Sequence, residues 1–141
     1  MKKNVVITVR GLQRAVNDDE PVEVISAGTY LRKADTHYLS YEEADEDGKI
    51  TKNRIKITPE SIEMTKQGGI TTQMIFVMGQ KQYACYATPF GDLTLGMTTK
   101  YIKVTEEEQK ISVELRYDLE INGAHTSECE LDIDVKECAA G

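Results

Sequence analysis

Apolar and polar residues alternate with a period of two along most of this chain. The longest regular run is Ile111 to Ile121. Ile111, Val113, Leu115, Tyr117, Leu119 and Ile121 are apolar, and Ser112, Glu114, Arg116, Asp118 and Glu120 between them are polar. Side chains of a strand point to opposite faces in turn, so the run predicts a strand with one face on a core and one in water. Asn122-Gly123 follows, a pair suited to the two positive φ angles of a tight hairpin turn. Leu131, Ile133 and Val135 then return against Asp132, Asp134 and Lys136.

The same period predicts strands over 5–10, 22–33, 36–43, 50–57, 61–66, 70–78 and 81–88. Turn clusters separate them: Asn17-Asp18-Asp19-Glu20-Pro21, Ala44-Asp45-Glu46-Asp47-Gly48, Thr58-Pro59-Glu60 and Gly68-Gly69. Gly79-Gln80 reads as the tip of a hairpin. After Pro89 the apolar positions are odd-numbered (Leu93, Leu95, Met97), yet by Ile102 and Val104 they are even-numbered. A period-two pattern changes parity only at a bulge or break, which is expected at Thr98-Thr99-Lys100. Glu106-Glu107-Glu108-Gln109 is too short for a stable helix and reads as a loop. The result is an all-β chain of about eight to ten antiparallel strands. Hairpins in series leave two bare edges unless the sheet closes, so an up-and-down β-barrel is expected, with a β-sandwich as the alternative.

Four segments add to this. They are Tyr38-Leu39-Ser40-Tyr41-Glu42-Glu43, Asn53-Arg54-Ile55-Lys56-Ile57-Thr58, Thr88-Pro89-Phe90-Gly91 and Tyr117-Asp118-Leu119-Glu120-Ile121-Asn122-Gly123. In this order they resemble the YwiB-like family of uncharacterised bacterial proteins. The resemblance implies a lipocalin-like (calycin-like) barrel in a bacterial cytosolic protein, and it brings no activity with it.

Composition narrows the partners more than the fold. Residues 1–141 suit one domain, and 40% hydrophobic with 29% charged residues suit a folded globular chain. A net charge of −7, with 24 carboxylates against 17 Lys and Arg, disfavours nucleic acid. Met1-Lys2-Lys3 resembles the start of a signal peptide, but the apolar run from Val5 to Val9 is too short for one. No segment has the length of a membrane helix, and the protein is expected to be cytoplasmic. Cys85, Cys129 and Cys138 lack CxxC spacing and fit reduced thiols.

Candidate chemistry is sparse. Tyr41 and Glu43 share parity with Leu39, which turns them inward, with Glu43 near a barrel mouth as a polar anchor. Met74 and Phe76 recur at strand spacing, Tyr117 lies on the core face, and Phe90 is placed to plug or cap the barrel end. These six form the expected ligand-binding set for a small apolar or amphipathic molecule in the lumen of a non-enzymatic barrel. The alternative is a barrel with a filled core that engages a protein partner. His125 lies beside the Asn122-Gly123 turn and should be solvated, and His37 has no nucleophile beside it in sequence. No metal or cofactor motif is present. A carboxylate converging with a Tyr or His in one cleft would point instead to an enzyme.

Overall fold

The computed structural model describes residues 3–14, 22–44, 46–68, 71–88 and 91–138. The elements are β1 (Lys3–Arg14), β2 (Val22–Lys33), β3 (Thr36–Ala44), β4 (Ile50–Ile57) and β5 (Ser61–Gln67). They continue as β6 (Thr72–Val77), β7 (Lys81–Thr88), β8 (Gly91–Glu107), β9 (Lys110–Ile121) and β10 (Ala124–Glu137). All belong to one ten-stranded antiparallel sheet in the order β6-β5-β4-β3-β2-β1-β10-β9-β8-β7, which curls into a nearly closed barrel. The first and last strands cover each other's edges, from Val5↔Glu137 to Arg14↔Glu128.

The expected turns and the parity change account for the long strands. Asn122 and Gly123 take φ angles of 51° and 85°, as a tight hairpin turn requires. In β8 the pairs Thr99↔Tyr117 and Tyr101↔Arg116 leave Lys100 over, a bulge at the site where the apolar parity changes. Because of it Met97 and Ile102 both face the core. A second bulge, at Thr126, carries no comparable sequence signal. The Glu106–Gln109 loop is shorter than its polarity suggests, since β8 runs through Glu107 and β9 begins at Lys110.

The expected turn at Gly79-Gln80 is present, with Gln80 N–H donating to the Val77 carbonyl, but no ladder joins the two strands it connects. β6 and β7 stand at opposite ends of the strand order, and they meet at the barrel's seam. Residues 78–80 bond to other segments as well as to each other. Met78 N–H donates to the Glu60 carbonyl, Gly79 N–H to the Thr99 carbonyl, and Thr99 N–H to the Gln80 carbonyl. Those bonds satisfy backbone groups that a hairpin ladder would otherwise have paired. Met78, the last residue of the predicted 70–78 strand, is exposed. The turn at 17–21 and the Pro89-Phe90 corner lie outside the described residues.

Alternate strand connections fall at opposite ends of the barrel. We call the end with the Asn122-Gly123 turn the upper end, and the end with the Ala34-Asp35 turn the lower end. Between them Ile7, Leu39, Ile55, Ile57, Ile62, Met97, Leu115 and Ile133 fill the interior, each at most 2% exposed. Gly28 marks the place where β2 and β3 part. A Cβ there would lie 2.5 Å from the Ser40 carbonyl oxygen and 2.8 Å from Ile7 Cδ1, so only glycine lets the strands approach so closely. The β2–β3 ladder ends at Gly28↔Tyr41, whereas β2 stays paired to β1 as far as Gly11↔Val22.

Candidate functional site

At the upper end, inward-facing side chains come into reach of water. Val24 and Val22 pair with Val9 and Gly11, so parity turns them inward, yet they are 36% and 67% exposed. Beyond the point where β2 parts from β3 these inward-parity side chains meet solvent, at the mouth of the barrel.

Tyr41 and Asn53 face each other below this mouth. Tyr41 is buried, and burial pushes its phenol up to about 12, with the charge of Glu43 adding to the effect. Asn53 is 2% exposed, and among the described residues neither its Nδ2 nor its Oδ1 has a hydrogen-bond partner. A buried amide left unpaired costs about 1–3 kcal/mol. This orphaned amide is the strongest chemical signal at this end.

The expected ligand residues are partly brought together. Tyr41 and Phe76 belong to the packed core, and Met74 and Tyr117 pack against it. The rings of Phe76 and Tyr117 lie 4.7 Å apart and tilted by 51°, a favourable aromatic contact. Beside them Thr99 Oγ1 is buried with no hydrogen-bond partner among the described residues. Glu43 keeps the inward parity of its strand and is half-buried. Phe90 lies outside the described residues. These aromatic residues therefore pack mainly on one another and on the core, rather than standing around an open lumen.

The lower end is built from polar groups that satisfy each other. His37, on β3, is 3% exposed and has inward parity with Leu39 and Tyr41. Its Nε2 lies 2.6 Å from Glu106 Oε1 and its Nδ1 lies 2.7 Å from the Tyr30 hydroxyl. The carboxylate can only accept, so Nε2 carries a proton; in neutral His37, Nδ1 then accepts from Tyr30. Tyr30 and His37 also stack at 5.7 Å. Arg32 Nε donates to the Ala34 carbonyl, and its Nη1 lies 3.6 Å from Glu106 Oε2. A cavity of about 300 Å³ is bounded here by Tyr30, Arg32, Lys3, Glu106 and apolar Val5, Ile111 and Val135. A second, also of about 300 Å³, shares Arg32 and Glu106 and adds His37 and Val104.

A model of the domain of unknown function family DUF1934 matches residues 7–133 of the chain. The chain belongs to the DUF1934 family. It is 31% identical over 124 residues to the uncharacterised β-barrel protein YwiB of Bacillus subtilis (strain 168), covering 86% of each chain. The crystal structure of the ywiB protein from Bacillus subtilis superposes with a TM-score of 0.82 at 23% identity, covering 98% of this chain and 94% of that one. The DUF1934 barrel is thus shared across nearly the whole length, and neither description assigns an activity.

In this DUF1934 chain the sequence reading missed Asn53, Tyr30, His37 and Glu106. Parity alone turns His37 and Asn53 inward with Leu39 and Ile55, but residue type distracts from both. Tyr30 and Glu106 come from distant strands, and only barrel closure brings them to His37. His125, by contrast, is solvated as expected, its side chain 59% exposed.

Proposed function

We propose that this DUF1934 barrel binds a small apolar or amphipathic molecule at its upper end, in the manner of a lipocalin-like carrier. The carrying observation is the buried Asn53 amide without a partner beside Tyr41. A ligand carbonyl, hydroxyl or carboxylate there would pair the amide, while Val22 and Val24 would cover its apolar body. Tyr41 supplies a neutral phenol, and Glu43 a charge nearer the rim. The three cysteines are free, which supports a reducing, cytoplasmic setting. Among the described residues no helix is long and apolar enough to cross a membrane.

The second reading is a filled barrel that engages a protein. It is favoured by the packing of Tyr41, Phe76 and Tyr117 into and against the core. Native mass spectrometry of protein purified gently from its own host separates the two. A reproducible extra mass that leaves on denaturation, and is missing from Asn53→Leu, supports the carrier. A bare chain mass for both proteins transfers the case to the filled barrel.

A further inference from the structure

The lower end goes beyond that reading and stands on different residues. A carboxylate, an imidazole and a hydroxyl are arranged there in series: Glu106 Oε1 at 2.6 Å from His37 Nε2, then His37 Nδ1 at 2.7 Å from the Tyr30 oxygen. A histidine that merely fills a core needs its two nitrogens satisfied. This one is satisfied in a particular order. The carboxylate fixes the tautomer so that the basic nitrogen meets a hydroxyl, and that hydroxyl belongs to a residue on the wall of an apolar-floored cavity.

We propose that Tyr30 is a base-activated nucleophile, and that the lower-end cavity takes a small activated ester with an apolar acyl group. As the Tyr30 oxygen bonds to the acyl carbon, its proton passes to His37 Nδ1. The carbon–oxygen bond to the leaving group breaks, and that proton leaves with the alcohol. Water completes the cycle: it gives a proton to Nδ1 and attacks the tyrosyl ester. The bond between the Tyr30 oxygen and the acyl carbon then breaks, the free acid departs, and the phenol oxygen recovers its proton. Glu106 holds the imidazolium formed in each half. Val5, Ile111 and Val135 fit an apolar acyl chain; on the same wall Arg32 is paired with Glu106 and Lys3 with Glu137. An acyl chain of only a few carbons fits a space of about 300 Å³.

The test is acetylation of the whole chain by 4-nitrophenyl acetate, with the rate at each tyrosine followed by peptide mass mapping. Exposure alone would favour Tyr83, at 66%, and Tyr101, at 42%. The expected result is that Tyr30 reacts faster than both. His37→Phe, which keeps a ring in the core, should slow Tyr30 by about 100-fold and leave Tyr83 unchanged, the usual size of a general-base contribution. Glu106→Gln sits at the half-exposed end of the relay and serves if His37→Phe fails to fold; it should slow Tyr30 by about 10-fold, below the general-base range because the base itself remains. Labelling that follows exposure, or a Tyr30 rate indifferent to the folded relay variant, would overturn the proposal.

Discussion

The two ends of this barrel solve the same problem in opposite ways. Each has a polar side chain buried in an apolar interior, His37 at one and Asn53 at the other. At the lower end Tyr30, His37, Glu106 and Arg32 form a chain in which donors meet acceptors. At the upper end Asn53 is buried as deeply as His37, but its amide meets no partner among the described residues. A buried imidazole with both nitrogens paired is held in place, whereas a buried amide with no partner is destabilising. The difference marks the lower end as preorganised, and the upper end as the one the proposed carrier reading would have a ligand complete.

The largest way to break the comparison is to remove the floor that both ends share. Leu115 is fully buried. Leu115→Asp places an unpaired charge there and should cost about 4 kcal/mol or more, or prevent folding, as read by denaturant unfolding. Its neighbour Glu114 is on the polar face, and Glu114→Gln should stay within about 0.5 kcal/mol. Equal tolerance of the two would mean that the facing of β9 is wrong.

Gly28→Val acts where β2 parts from β3. The added side chain collides with the Ser40 carbonyl and Ile7, so β2 and β3 must separate, at a cost of about 2–3 kcal/mol. Hydrogen exchange should show the loss of protection spreading from the Gly28↔Tyr41 pair while the Tyr30–His37 region stays protected. Opening at both ends together would deny that they are separable.

A smaller effect sharpens the comparison through pH. Tyr41 titrates near 12 in the folded chain and near 10 when unfolded. Between those values the unfolded state has lost a proton that the folded state retains, so stability falls as pH rises through the window. The Tyr41 contribution is fully present below about pH 10, and about 2 kcal/mol of it is lost by pH 11.5. Unfolding measured from pH 9 to 11.5 should fall more steeply for the wild type than for Tyr41→Phe. Parallel curves would place Tyr41 in water.

Most of the fold was legible because a strand's period exposes which face is buried. Ile111–Ile121, the Asn122-Gly123 turn and the bulge at Lys100 all follow from parity and turn chemistry. The missing ladder between β6 and β7 did not, since Gly79-Gln80 carries the same turn signal whether or not the flanking strands pair. The sites were less legible for a related reason. Tyr41, Met74, Phe76 and Tyr117 were found on the inward face by period, yet the period does not tell an open lumen from a packed one. Tyr30, His37 and Glu106 lie on three strands, and their meeting depends on closure and on the stagger of the sheet, which no short window contains. Asn53 had the parity of a core residue, but the absence of a partner is a property of three dimensions.

The most direct test of the upper-end account is the unfolding free energy of ligand-free, refolded Asn53→Leu against the refolded wild type. An apolar side chain of similar size removes the unpaired amide, so the variant should be more stable by about 1 kcal/mol. A loss of stability of that size or more would show that the amide is already satisfied inside the empty barrel, and would contradict a site built to receive a ligand.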